Sequence, residues 1–127
     1  MAKDIFKFKH MKSPAWCANS ETSIYFRVIM INNDREEEIG YIGCQENDLG
    51  RGLCNNFCYK TFEPYRGHGF TKAYVKQFIS DRILDFDCIR ARTPRDNIAS
   101  QKVLEYAGFE NRGKRDDGKY GYTWKAF

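Results

Sequence analysis

The residues best suited to chemistry lie in one stretch, Glu63-Pro64-Tyr65-Arg66-Gly67-His68-Gly69-Phe70-Thr71-Lys72-Ala73. An apolar, aromatic run from Phe57 to Phe62 stops at Pro64, and two glycines follow, flanked by Arg66 and His68. Apolar residues then return at helical spacing, at Phe70, Ala73, Tyr74 and Phe78, with Gln77 among them. The pattern is strand, glycine turn, helix. Glycines let the backbone turn so that successive N–H groups converge on one point. The new helix adds its own unpaired N–H groups and the positive end of its dipole. Such a turn can hold a phosphate or pyrophosphate, and it can equally be a tight connection with no ligand.

Other reactive side chains are scattered. The cysteines are Cys17, Cys44, Cys54, Cys58 and Cys88. Their odd number and the absence of an export signal favour reduced thiols over a disulfide framework. Cys54 and Cys58, four apart on a strand, are expected on one face. The histidines, His10 and His68, stand in no paired-ligand pattern, so no metal site is expected. The net charge of +4 favours an anionic ligand only weakly.

Size and composition describe the scaffold. A chain of 127 residues with 42% hydrophobic and 16% aromatic content suits one domain with its own core. The apolar runs are too short for a membrane span, and the first residues lack the apolar centre of a signal peptide. A cytoplasmic location is therefore expected.

The elements that must position the glycine turn follow in order. Residues 4–9 alternate apolar and polar as a first strand. Residues 10–22 are a loop or short helix. Ser23 to Ile31, rich in β-branched and aromatic residues, is a strand. It turns at Asn32-Asn33-Asp34 into a strand over Glu38 to Cys44. Asn47 to Gly52 turns again, and Leu53 to Phe62 leads into the glycines. A helix spans about Phe70 to Arg82 and a strand Phe86 to Thr93, which Pro94 ends. Asp96 or Asn97 caps a second helix, about Ile98 to Ala107, with Val103 and Leu104 facing inward and Gly108 stopping it. A hairpin around Asp116-Asp117-Gly118 joins Phe109–Arg112 to Tyr120–Phe127. The expected fold is one α/β (α+β) domain over 1–127, a mixed, mostly antiparallel sheet flanked by helices.

Two motifs in this frame carry a family resemblance. Arg66-Gly67-His68-Gly69-Phe70-Thr71 resembles the acyl-CoA pyrophosphate loop of the GNAT superfamily of N-acetyltransferases, Gln/Arg-x-x-Gly-x-Gly/Ala. Asn97-Ile98-Ala99-Ser100, followed by Leu104 and Gly108-Phe109, resembles that superfamily's second helix. This form is typical of the branch that acetylates protein N-termini, ribosomal proteins and some small amines. The resemblance covers roughly residues 23–127 and is firmest over 57–110.

It implies acetyl-CoA as co-substrate and transfer of its acetyl group to a primary amine by direct attack in a ternary complex. N–H groups from Gly67 through His68, Gly69, Phe70 and Thr71 to Lys72 would hold the pyrophosphate, with Arg66 and Lys72 adding positive charge. The backbone of Tyr59-Lys60-Thr61 would pair with the pantetheine arm in a gap between that strand and the one starting near Phe86. An N–H there would stabilise the oxyanion. Asn97 would bond the arm or the loop, and Lys102 would reach a CoA phosphate. The acceptor-side helices that relatives carry after the first strand are shortened here to about a dozen residues. That leaves the acceptor side open, or completed by a second copy in a homodimer.

The chain also departs from the pattern. Thr71 stands where Gly or Ala is usual. Leu104 fills the place of a common general-acid Tyr, which makes Ser100 the candidate to protonate the leaving thiolate. Arg92 and Asn56 stand where relatives carry carboxylates. Glu63, Asp87, Glu38 and His68 remain as candidate bases. A chain without an efficient base should prefer amines of lowered pKa, such as α-amines, over lysine-like amines.

Two other classes compete. One is a GNAT-like domain that binds acyl-CoA without catalysis. The other, ranked last, is an RNA-binding module, because Arg66-Gly67-His68-Gly69-Phe70 also looks like part of an RNA-recognition strand. That motif needs stacking aromatics at alternate strand positions, and Thr71 and Ala73 break the pattern.

Overall fold

The computed structural model describes residues 5–12 and 22–126. The expected loop or short helix over 10–22 lies largely outside them. Seven strands form one sheet in the order β1-β2-β3-β4-β5-β7-β6. These are β1 (Ile5–Met11), β2 (Ile24–Asn32), β3 (Arg35–Asp48), β4 (Leu53–Thr61), β5 (Cys88–Thr93), β6 (Glu110–Lys114) and β7 (Tyr120–Lys125). All pairings are antiparallel except β4 with β5. Helix α1 (Phe70–Ser80) lies between β4 and β5, and α2 (Ile98–Tyr106) between β5 and β6. The fold is the expected mixed α+β sheet.

Local sequence explains the connections. Asn33 and Asp34 both take positive φ (49° and 68°), the geometry of a two-residue hairpin between β2 and β3. Strand β3 is twice the expected length, because its charged start, Arg35 to Glu37, pairs with β2 and its end, Glu46 to Asp48, pairs with β4 where a turn was expected from Asn47. A 3-10 turn at Leu49–Arg51 returns the chain into β4. The backbone N–H groups of Asp87 and Cys88 both bond to the Gly52 carbonyl, so β5 starts at Cys88, two residues later than expected. Gly108 (φ 100°) follows α2 and supplies the expected stop.

One core cluster joins the helices to the sheet. Tyr74, Val75, Phe78 and Ile79 of α1 and Leu104 of α2 pack with Val28, Ile42, Phe57, Ile89 and Phe109. The α1 spacing is shifted from the expected face: Ala73 is exposed and Val75 buried. The Gln77 side chain donates to the Phe6 carbonyl at 2.8 Å, tying α1 to β1. Gly40 of β3 lies so close to β4 that a Cβ there would collide with the Lys60 carbonyl.

The cysteines differ from expectation. Cys44 and Cys54 form a disulfide, with Cα atoms 6.2 Å apart. Cys58 and Cys88 are half-buried thiols, and Cys17 lies outside the described residues. Cys54 and Cys58 do not share a face either. Asn56 between them takes positive φ (58°), which resets the alternation of β4. Cys54 and Phe57, three apart, both enter the core, while the Cys58 sulfur meets the Tyr25 hydroxyl at 3.2 Å. Spacing alone does not show either point, because both depend on the β3–β4 register and on one αL residue.

Candidate active site

The site is built on a gap in the sheet. Strands β4 and β5 pair only at Leu53–Cys88 and Cys54–Ile89. Beyond that point they separate, and residues 55–61 of β4 have no β5 partner. Asn56 sits at the point of divergence in an αL conformation that asparagine tolerates better than most residues. On the helix side the gap widens into a cleft of about 380 Å³, whose walls include Tyr59, Lys60 and Thr61 of β4, Arg66, Thr71, Asn97 and Ser100.

The glycine turn closes one end of this cleft. Gly67 (φ 81°) and Gly69 (φ 79°) are left-handed, and Gly69 is the N-cap of α1 with no side-chain cap. No protein atom would meet a Cβ at either glycine. Backbone conformation, not crowding, therefore demands glycine here, and the space over the turn is open. None of the N–H groups from Gly67 to Lys72 has an acceptor among the described residues. An uncapped helix start with converging free N–H groups fits a pyrophosphate. Because Arg66 to Gly69 form a turn and Phe70 opens a helix, this stretch offers no strand on which bases could stack, and the RNA-recognition expectation fails.

Side chains hold the turn against β4. Arg66 Nε donates to the Thr61 carbonyl at 2.8 Å, placing the guanidinium at the cleft wall. The buried Thr61 hydroxyl bonds to Tyr74 Oη at 2.8 Å and also to the Thr71 hydroxyl. Thr71, which stands where Gly or Ala is usual, thus engages its hydroxyl with Thr61. Burial pushes the Tyr74 phenol up to about 12, although its hydrogen bond to Thr61 pulls the other way. His68 stacks on Phe70 with ring centroids 5.5 Å apart. The Lys72 ammonium lies over the Tyr106 ring, 4.4 Å from its centroid.

Deeper in the cleft, two hydroxyls meet. Ser100 Oγ and Tyr59 Oη are 2.9 Å apart. Burial raises the Tyr59 pKa and Ser100 partly opposes this, so the phenol stays protonated at neutral pH. Asn97 caps α2, its Oδ1 accepting from the Ser100 N–H at 3.1 Å. That bond orients Ser100 and leaves the amide NH₂ of Asn97 for the cleft. The Tyr59 hydroxyl is a partner that sequence reasoning missed, having used only that residue's backbone.

Other expected residues stand elsewhere. Glu63 is exposed in a 3-10 turn at Glu63–Tyr65 and does not line the cleft. Lys102 is exposed on α2, also outside the lining. Glu38 pairs with Arg27 at 3.2 Å. Asp87 is exposed beside Gly52.

On the opposite face of the sheet the same divergence opens a second cavity, about 390 Å³, whose lining includes Glu46, Asn55, Asn56, Arg90, Arg92 and Arg115. Ile89, Ala91 and Thr93 turn into the core, so Arg90 and Arg92 face away from the helices. Arg92 and Arg115 both reach Asp117 Oδ2, at 3.5 and 3.3 Å. The Lys119 N–H, with Arg115 and Arg92 beside it, holds the Asp117 carboxyl below its usual range. Glu46 and Arg115 were not singled out from the sequence. Glu46 arrives through its register opposite Asn55, and Arg115 through the β6–β7 hairpin. Among the described residues no group of three or more His, Cys, Asp or Glu gathers to hold a metal ion, and no helix is long and apolar enough to cross a membrane.

Solved structures share this architecture. The microcin C7 self-immunity acetyltransferase, in complex with acetyl-CoA and AMP, superposes with a TM-score of 0.65 at 13% identity, over 83% of this chain and 62% of that one. Spermidine N-acetyltransferase from Vibrio cholerae gives 0.66 at 15%, over 80% and 64%. Ribosomal-protein-S5-alanine acetyltransferase from Vibrio fischeri gives 0.64 at 20%, over 83% and 62%. The chain thus spans less than two thirds of these proteins' lengths, and at such identities the likeness is one of fold. No curated protein matches the sequence. The model of the acetyltransferase (GNAT) domain matches residues 2–110, from β1 to the start of β6. That span includes both the uncapped glycine turn and the gap between β4 and β5, and the chain belongs to the GNAT acetyltransferase family.

Proposed function

We propose that the chain transfers an acetyl group from acetyl-CoA to a primary amine of lowered pKa, such as an α-amine, by direct attack in a ternary complex. The observation that carries this reading is the gap between β4 and β5, which ends in six unpaired N–H groups, from Gly67 to Lys72. It offers a strand edge for the amide-bearing pantetheine arm and an anion cradle for the pyrophosphate. Relatives of this fold include proteins named for acetylating ribosomal protein S5 at alanine and for acetylating spermidine.

Each residue then has a physical task. The turn N–H groups and Arg66 would hold the pyrophosphate. The backbone of residues 59–61 would align the arm, with the amide of Asn97 beside it. A β4 N–H near Asn56 would take the charge that develops on the thioester oxygen. The amine nitrogen bonds to the carbonyl carbon, the C–S bond breaks, and the thiolate takes a proton from Ser100, backed by Tyr59. The proton lost by the amine would pass to Glu46, the carboxylate lining the cavity on the acceptor side. This replaces Glu63 in the base role and supports a catalytic reading over a binding-only one. The test is thiol release from acetyl-CoA against a panel of peptides with free N-termini, lysine side chains, polyamines and small amines. Release with α-amines is expected. Tight CoA binding with no release from any amine would leave the binding-only reading.

A further inference from the structure

The cavity behind the gap has a polarity that a simple amine does not need. Three arginines, Arg90, Arg92 and Arg115, line it against one carboxylate, Glu46. Arg92 and Arg115 share Asp117, so one negative charge is set against two positive ones, and their guanidinium groups are held in place. Arg90 has no ion-pair partner among the described residues. An adjoining cavity of about 240 Å³ extends the same surface with Arg90, Arg112, Lys114 and Arg115. The positive groups begin one residue beyond Ile89, where β5 parts from β4. A group bonded to the acceptor carbon next to the amine would therefore lie among them.

We infer that this cavity is the acceptor subsite and that it binds an anionic group, a carboxylate or a phosphate, carried by the acceptor amine. The inference rests on the acetyl-transfer reading above and names its substrate class. With Glu46 meeting the amine and the arginines the anionic group, the lining would match a zwitterion. The guanidinium fork presents two parallel N–H donors to a carboxylate or phosphate oxygen pair. A polyamine would place its second ammonium against the same arginines, where like charges repel.

The experiment compares L-serine, L-serine amide, O-phospho-L-serine amide and spermidine as acceptors, by thiol release at saturating acetyl-CoA. L-serine or the phosphoserine amide should exceed serine amide and spermidine in kcat/KM by roughly tenfold to a hundredfold, the usual scale of a charge-assisted bond. Which of the two leads distinguishes carboxylate from phosphate. Arg90→Gln, and separately Arg115→Gln, should shrink that ratio through KM. Titration of O-phospho-L-serine amide into the CoA-saturated protein should show binding that both variants weaken. Turnover in which serine amide or spermidine equals the anionic amines would overturn the inference while leaving acetyl transfer intact. Anion binding that depends on Arg90 without any thiol release would sink the transfer reading and keep the anion site. Anion binding absent, or unchanged in both variants, would overturn the inference outright.

Discussion

On the proposed reading, Ser100 and Tyr59 would together supply the proton that the family resemblance assigns to a single tyrosine. With Leu104 at that tyrosine's place, the phenol arrives from β4 instead of α2, and Ser100 bridges it to the cleft at 2.9 Å. Ser100→Ala should then lower kcat by about 10²-fold or more with acetyl-CoA affinity nearly unchanged. Tyr59→Phe should cost less, because Ser100 keeps its place through the Asn97 cap. Equal turnover of Ser100→Ala and wild type under chemistry-limited conditions would make the pair structural. At the glycine turn, Gly69→Ala forces a Cβ into left-handed backbone (φ 79°) at a cost of roughly 1–2 kcal/mol. It should raise the Kd for CoA with no loss of fold, which calorimetry and circular dichroism would check together. This turn was legible in the sequence because its signal is local: glycines between an aromatic run and a helical period. The pairing of Ser100 with Tyr59 was not, since the two stand 41 positions apart and only the sheet and α2 together bring them into contact.

The elements meet at a small buried hydroxyl network. Thr61 at the end of β4 holds Tyr74 and Thr71 of α1, and so fixes the helix start where phosphate would lie. Thr61→Val keeps the shape and removes the hydroxyl that Tyr74 and Thr71 share, a loss of about 1–3 kcal/mol; a denaturant titration would measure it. The network also shapes the alkaline limb of stability. Burial pushes the Tyr74 phenol up to about 12, above the 10.0 of an ordinary tyrosine. Its folded pKa is raised, so its contribution is full below pH 10 and fades as pH rises toward 12, by at most about 3 kcal/mol. Between pH 9 and 11.5 the melting temperature of wild type should fall more steeply than that of Tyr74→Phe. Parallel curves would mean that the phenol ionises freely in the fold. Order and type of the elements were readable because each carries its own periodicity and punctuation. The inward and outward sense of β4 beyond Asn56 was not, since a single αL residue inverts it, and with it went the faces of Cys54 and Cys58.

Across the whole molecule, the Cys44–Cys54 bond links β3 to β4 directly before the sheet divides. It closes a short loop, so reduction should lower stability by roughly 2–3 kcal/mol, a fall in Tm of about 10 °C. Melting with and without a reductant, beside Cys44→Ala/Cys54→Ala, would measure this. A double variant as stable as wild type in oxidising buffer would show the bond to be energetically idle. The arginine-lined cavity was the least legible part of the molecule, because β3, β4, β5 and the β6–β7 hairpin each contribute to it, and no local pattern spans them.

The two cavities are lined by different residues on either side of the gap between β4 and β5. On the proposed reading, acetyl-CoA and the amine would approach from opposite sides and would not block one another. Initial-rate lines against either substrate should therefore intersect instead of running parallel. A dead-end CoA analogue should compete with acetyl-CoA alone, and an N-acetylated product should compete with the amine alone. A strict binding order would require one occupant to reshape the gap before the other could enter, and crossed product-inhibition patterns would reveal it.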